Sequence, residues 1–338
     1  MSLLQILCRR LLLAIMVVFG VVVVTFIVSH LIPGDPARLM AGEHASAQTV
    51  QHMQHVLGLD RPLPEQFAIY VGRLVRGDLG LSIRTQRPVS EDIRHFFPAT
   101  IELSLAALLF ALAFGLFLGV VAAVYKDTWI DQLARVISIV GISMPAFWLG
   151  LLLLELFYNW LGLLPGTGRL QEGLAAPPAV TGMFTVDALL AGEWGTLRSA
   201  LEHLALPTFT LGFVILGIIM RQIRSAMIEV LQEDYIRTAR AGGLSPTRII
   251  LGHALRNALI PSVTMLGLTF GDLLYGAVLT ETIFAWPGMG NYVVESISSL
   301  DFPSIMGFAV VASLAYVLIN LTVDLSYLVL DPQIREIG

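Results

Sequence analysis

The chain of 338 residues is 56% hydrophobic and only 13% charged, too few polar residues to clothe a water-soluble globule, so the composition is that of an integral membrane protein. Its formal charge of −5, with one Lys among twenty basic residues, builds no basic field and excludes nucleic acid as a partner. That lysine, Lys126, stands between Tyr125 and Asp127 and not in a Gly-Lys-Ser/Thr loop, and no HExxH, Cys pair or Gly-x-Ser-x-Gly spacing occurs, so no nucleotide hydrolysis, metal, cofactor or catalytic residue is expected of this chain.

The first apolar run, Leu11 to Ile32, follows Arg9-Arg10 and exceeds the roughly 20 residues that cross a hydrocarbon core. It is longer than the apolar core of a signal peptide and is followed by Pro33-Gly34-Asp35-Pro36 instead of a small-x-small cleavage site, so a retained transmembrane helix with its N-terminus inside is expected. Cys8, the lone cysteine, has no internal disulfide partner. Residues 33–98 change character, with seven Arg, seven acidic residues and amphipathic patterns at Ser46 to Leu57 and Glu65 to Arg76. This is a folded extramembrane segment, either a seat for a partner protein or a cap over span ends.

Five further spans are expected at Ile101 to Tyr125, Val136 to Leu161, Leu204 to Met220, Leu259 to Phe284 and Ile305 to Leu328, giving six transmembrane helices in an all-α polytopic fold with both termini on one side. Inside segments then hold Arg9, Arg10, Lys126, Arg135, Arg221, Arg224, Arg237, Arg240, Arg248, Arg256 and Arg335, against only Arg169 and Arg198 in the two later outside loops, which supports that orientation once the long first loop is set aside, since long loops cross largely regardless of charge. Pro145 and Pro207 fall in or at the edge of spans three and four, where a missing N–H and a ring clash bend a helix unless its neighbours absorb them. The Gly/Pro-rich loop from Leu161 to Glu202, with a short helical pattern at Thr196 to Leu204, offers a second docking surface on the outer side.

Gln232 to Pro261 is the one polar, Arg-rich helical stretch between strongly apolar spans. Ile223 to Ala241 has the pattern of one helix, stopped by Gly242-Gly243, since glycine accepts the left-handed geometry that closes helices. Ser245 as cap and Pro246 at the first helical position start another, Thr247 to Ala258. Arg237, Arg240, Arg248 and Arg256 are expected to face water, and Ile249, Ile250, Leu251 and Leu255 to form a partly apolar face that either docks in a partner's groove or belongs to an ordinary cytoplasmic loop.

In span five, Asp272 is a carboxylate near mid-membrane that must face a cavity or a partner, either meeting a cationic group of a solute part-way across or bonding a neighbouring helix. Glu281 is expected near the outer end of that span. Trp286-Pro287-Gly288 follows, either lining the outer mouth as part of a gate or anchoring at the interface. Asn320 and Asp324 lie in the inner half of span six.

DYIRTARAGGL followed by HALRNALIP resembles the cytoplasmic loop of the membrane permease subunits of binding-protein-dependent ABC importers. HLIPGDP after the first span, LTETIFAWPGMG at Leu279 to Gly290, and Asn320 with VDLSYLVLDPQI agree with the family's peptide and nickel branch, so the resemblance runs end to end. The wider family's Glu-Ala-Ala opening is replaced by Arg237-Thr238-Ala239, with Gly243 in place. The resemblance implies a type I importer permease fold with a folded periplasmic first loop in a bacterial inner membrane. Its divisions are the N-terminal end and first span at 1–32, a periplasmic region at 33–98, a core at 99–332 with the loop 221–258, and a cytoplasmic tail at 333–338. It implies a homologous second permease forming a heterodimer, two ATP-binding subunits, a periplasmic substrate-binding protein, surrounding lipid and a dipeptide or short oligopeptide cargo. Coupling residues would be Asp234, Arg237, Ala239, Arg240, Gly243, Ser245, Pro246, Arg248, His253, Arg256 and Asn257; Asp272, Glu281, Trp286 and Asn320 would belong to the path or gate. Nickel or glutathione importers of the same family, and a secondary carrier with Asp272, Glu281 and Asp324 as a proton relay, are the alternatives.

Overall fold

The computed structural model describes residues 3–31, 36–42, 45–259, 269, 273 and 277–330; Asp272, most of the expected fifth span and the side chain of Asp324 lie outside the described residues. Among the described residues the fold is helical, with the short helices α2 (Pro36–Ala41) and α3 (Ala47–Leu57) after the first long one and one isolated bridge between Leu81 and Pro88. Four helices among the described residues include stretches long and apolar enough to cross a membrane: α1 (Leu3–Leu31), α5 (Val89–Val124), α9 (Trp194–Val230) and α13 (Phe302–Leu330). A fifth span exists if the bent pair α6 (Trp129–Ser143) and α7 (Ala146–Leu153, wound on as a π-helix over Leu154–Trp160) is counted as one.

That pair corrects the continuous third span expected at Val136 to Leu161. The chain bends by 105° between its two arms. Pro145 has no N–H to donate and its ring disfavours helical backbone on the residue before it, and Met144 accordingly takes an extended ψ of 124°. Pro207, by contrast, is absorbed within α9. This helix fuses the expected fourth span with the pattern at Thr196 to Leu204 and runs to Val230; at 37 residues it is about 55 Å long, well beyond a hydrocarbon core. The helix expected from Ile223 to Ala241 does not exist as one piece. α9 ends at Val230, and α10 (Asp234–Ala241) begins after a turn at Leu231 to Glu233.

The chain divides into two compact units. In the first, Met1–Pro98 with Gly288–Leu318, α4 (Leu63–Val75) packs Phe67 and Tyr70 on Phe26 of α1, at ring separations of 5.1 and 6.0 Å. Asp301 caps α13: its carboxylate accepts from the amide and hydroxyl of Ser304, and also from the Ser82 hydroxyl at 2.5 Å. Tyr292 of α12 (Met289–Ser298) donates to Ser304 at 2.8 Å and packs on Phe96.

In the second unit, Ala99–Pro287 with Ile319–Ile337, α9 is the spine. α5 lays a stripe of small residues on it at four-residue spacing: Ala107, Ala111, Gly115, Gly119 and Ala123. A Cβ on Gly119 would stand 2.9 Å from the Met220 carbonyl, so glycine is what allows this approach. α6 presents Asp131, Ala134, Ser138 and Gly141 as its buried residues, and Ser138 donates to the Gly217 carbonyl at 2.7 Å. In lipid no hydrophobic force drives helices together, so close van der Waals contact between small residues and buried hydrogen bonds supply the adhesion.

Candidate functional site

Glu233 and Asp234 open α10, where negative charge suits the exposed N–H groups of a helix start; the amides of Ile236 and Arg237 donate to the Glu233 carbonyl. The helix closes through a reciprocal pair of bonds, Leu244 N–H to Ala239 and Gly243 N–H to Arg240, with Gly243 at φ +75°. Gly242 has φ −75°, so only the second glycine meets the requirement expected of both. A further helix, α11 (246–259), starts on Pro246, with the Ile249 amide donating to the Ser245 carbonyl, and is π-wound over Arg248–Ala254.

The winding decides which side faces out. A π-turn places i and i+5 on one face, so Ile249 and Ala254, then Ala258, turn inward and join Ile236, Met220, Ile223 and Met227 in one core. Ile249 is only 3% exposed, so it is not part of an open docking face; Ile250 and Leu255 are half-buried, and Leu251, 56% exposed, remains outside. Asn257 ties the two helices by donating to the Tyr235 hydroxyl at 2.7 Å. Arg237, Arg240, Arg248, His253 and Arg256 are exposed, as are Ser245 and Pro246, while Ala239 is half-buried. Arg237 pairs with Asp234 at 3.0 Å; among the described residues no carboxylate pairs with Arg240, Arg248 or Arg256.

Of the residues expected in a path or gate, Glu281 and Trp286 are fully buried within the second unit. Thr100 donates to Glu281 at 2.6 Å, and the Trp286 indole N–H donates to the Ala99 carbonyl at 2.9 Å. Between them the helical stretch 277–283 closes with Trp286 N–H on the Glu281 carbonyl, which forces Ala285 to φ +44°. Asn320 is half-buried on α13, and Asp272 lies outside the described residues.

A cluster beside Trp286 escaped the sequence reading. Arg169, counted there as a loop charge, is buried, ion-paired to Glu102 at 2.5 Å, hydrogen-bonded to the Gly182 carbonyl, and stacked 3.6 Å above the Phe184 ring with Trp286 at 5.6 Å. Burial pushes its guanidinium pKa down and Glu102 opposes the shift. Glu102 also accepts from the amide and hydroxyl of Thr185, at the start of α8 (Phe184–Ala191). Burial would raise Asp187, but hydrogen bonds from Thr181, Gly182 and Val180 outweigh it and hold its carboxyl below the usual range. The only signal in the sequence was an arginine in a Gly/Pro-rich loop, since Glu102 is 67 residues away.

Residues 115–336, which include the hairpin, match the model of the binding-protein-dependent transport system inner membrane component family, and residues 3–105 match the N-terminal model for such membrane components. The chain belongs to this family. It is 60% identical over 324 residues to the probable D,D-dipeptide transport system permease protein DdpB of Escherichia coli K12, covering 96% of this chain and 95% of that one. Against the di/tripeptide transport system permease protein DppB of Pseudomonas aeruginosa UCBPP-PA14 the identity is 47%, covering 98% and 99%. The glutathione transport system permease protein GsiC of Escherichia coli O6:H1 is 41% identical, with 97% of each chain covered. The chain is thus a multi-pass permease subunit of an ABC importer, a system that also comprises ATPase and substrate-binding components. A self-sufficient proton carrier has no counterpart in these matches.

Proposed function

We propose that this permease carries dipeptides inward across the bacterial inner membrane, as one half of a heterodimer served by two ATP-binding subunits and a periplasmic substrate-binding protein. The observation that carries the proposal is the α10–α11 hairpin. Its inner side is fixed in the core by Ile236, Ile249, Ala254 and Ala258, while its outer side offers Arg240, Arg248, Arg256 and Leu251 to a partner. Asp234, Arg237, Ala239, Gly243, Ser245, Pro246, His253 and Asn257 shape that surface. An acidic-rimmed cleft in an ATPase subunit is the complementary surface. ATP-driven closure of the two ATPases would displace the hairpin and turn the permease pair from inward-facing to outward-facing.

In this reading segment 259–284 supplies the sixth span, both termini are cytoplasmic, and residues 33–98 with the loop 161–193 face the binding protein. Asp272 and Asn320 line the path, with Glu281 and Trp286 holding the turn at its outer mouth. The 60% identity to a D,D-dipeptide permease, against 47% and 41% for the other two named here, favours a second reading in which the cargo dipeptide is built of D-residues. The test is purification of the tagged chain with its partners, reconstitution into proteoliposomes, and ATP-dependent uptake of L,L-dipeptide, D,D-dipeptide and glutathione in parallel. Co-purification of two ATPase chains and a second permease with uptake of either dipeptide supports the proposal. A chain that purifies alone, or uptake of glutathione in preference to both dipeptides, overturns it.

A further inference from the structure

A cluster at the opposite end of α6 from its Pro145 bend is used by nothing described so far. Asp131, in the first turn of α6, is completely buried. Arg224 of α9 grips it with two prongs, Nε to Oδ1 at 2.5 Å and Nη2 to Oδ2 at 2.8 Å. Arg135, one turn along α6, adds a bond at 2.5 Å, and the amide of Asp127 donates at 3.0 Å. The Asp127 amide is aimed there by a left-handed backbone, φ +64°, that no glycine supplies. One carboxylate therefore takes four hydrogen bonds, two of them in the planar fork that fixes orientation as well as distance.

The position of the clamp matters. Arg224 lies six residues before the end of α9, and the adjacent Ile223 and the following Met227 are fully buried in the core that also receives Ile236 and Ile249 of the hairpin. Further along the same two helices, Ser138 bonds the Gly217 carbonyl and Gly141 lets the backbones touch. α6 and α9 are thus fastened at two levels, and the level nearer the hairpin is charged and directional.

We infer that Asp131 is a positioning residue for energy coupling: by locking α6 to the hairpin-bearing end of α9 it makes the bent α6–α7 arm move whenever the hairpin is moved. The inference rests on the importer reading above, in which an ATPase moves the hairpin. A glycine-and-serine contact alone lets α9 slide or roll under α6; a two-pronged Arg–carboxylate bond resists both.

The test uses the complete importer in proteoliposomes, with dipeptide uptake and ATP hydrolysis measured on the same vesicles. Asp131→Asn leaves two arginines around a neutral amide, and the expected result is an about five-fold fall in peptide moved per ATP, with hydrolysis and assembly within about two-fold of the parent. Arg224→Lys keeps the charge and loses the fork, and is expected to give a smaller fall in the same ratio; it serves if the asparagine variant does not assemble. The exchange Asp131→Arg with Arg224→Asp is expected to recover at least part of the ratio. An unchanged ratio in assembled variants overturns the inference, and so does a parallel loss of uptake and hydrolysis that tracks assembled protein, because that is the mark of a merely structural pair. A parent complex that hydrolyses ATP without moving peptide would instead sink the importer reading itself.

Discussion

The hairpin and the cluster around Arg169 use the same residue type in opposite ways. Arg240, Arg248 and Arg256 stand in the open with no carboxylate beside them among the described residues, on helices whose stability comes from the apolar residues beneath. Arg169 is buried, paired with Glu102 and stacked on Phe184. A buried cation holds its own chain together and becomes a liability once its partner goes, whereas an exposed unpaired one contributes almost nothing to the fold and is free for something else.

The largest effect is therefore expected from Arg169→Ala. It leaves the Glu102 carboxylate buried on Thr185 alone and removes the contact with the Gly182 carbonyl, a loss of about 3–5 kcal/mol. Thermal unfolding of the detergent-solubilised variant checks it. A midpoint equal to the parent's would show that the pair does not hold the loop, and would erase the contrast with the hairpin arginines.

Trp286→Phe is expected to cost about 2 kcal/mol, because the Ala99 carbonyl loses its buried donor while the ring remains beside Arg169. Unfolding midpoints again report it, and Trp286→Ala should cost more as a cavity opens. If phenylalanine proves neutral, the indole hydrogen bond is not what fixes the turn.

Gly243→Val comes next, at about 1–2 kcal/mol, because a β-branched residue resists φ +75° although the space around this Cα is open. Uptake per ATP should fall with it, since the angle between α10 and α11 changes. Gly242→Ala is the internal control: φ is −75° and a Cβ there meets only ordinary contacts, the nearest at 3.5 Å, so neither stability nor uptake should move. Equal behaviour of the two variants would mean that the turn is not set by the left-handed residue.

What the sequence disclosed and what it concealed divide along the same physical line. Pro145 offered a bend and an absorbed proline alike, because proline acts on its own neighbours but the outcome depends on the packing of both arms; a continuous span was expected, and the 105° bend was not written locally. Gly243 was legible as a helix stop for the same local reason. The break at Leu231 to Glu233 was missed because no glycine or proline marks it, although the acidic Glu233-Asp234 step is a usable sign of a new helix start. The Asp131–Arg135 half of the clamp follows an i, i+4 pattern, but Arg224 is 93 residues from Asp131, and Arg169 is 67 from Glu102; pairings of that separation are made by the fold and leave no periodic trace. The π-winding of α11 likewise reversed the expected role of Ile249, since a 3.6-residue count puts His253 on its face where the structure puts Ala254.

The smallest effect on stability, and the one that most sharpens the comparison, belongs to Arg240→Glu with Arg248→Glu. Both side chains are exposed and unpaired among the described residues, so the fold should shift by no more than about 0.5 kcal/mol. Association is a different matter. If the hairpin docks in an acidic cleft as proposed, reversing two of its cations puts like charges in contact, which suppresses a docked complex far more than it disturbs the free subunit. The measurement is recovery of ATPase subunits with the tagged permease at two salt concentrations, alongside the unfolding midpoint. An unchanged midpoint with lost, salt-sensitive recovery would establish that the hairpin's arginines serve the partner and those of the buried cluster the chain. Retained recovery would transfer the docking role to Leu251 and Tyr235, the exposed apolar groups on the same hairpin.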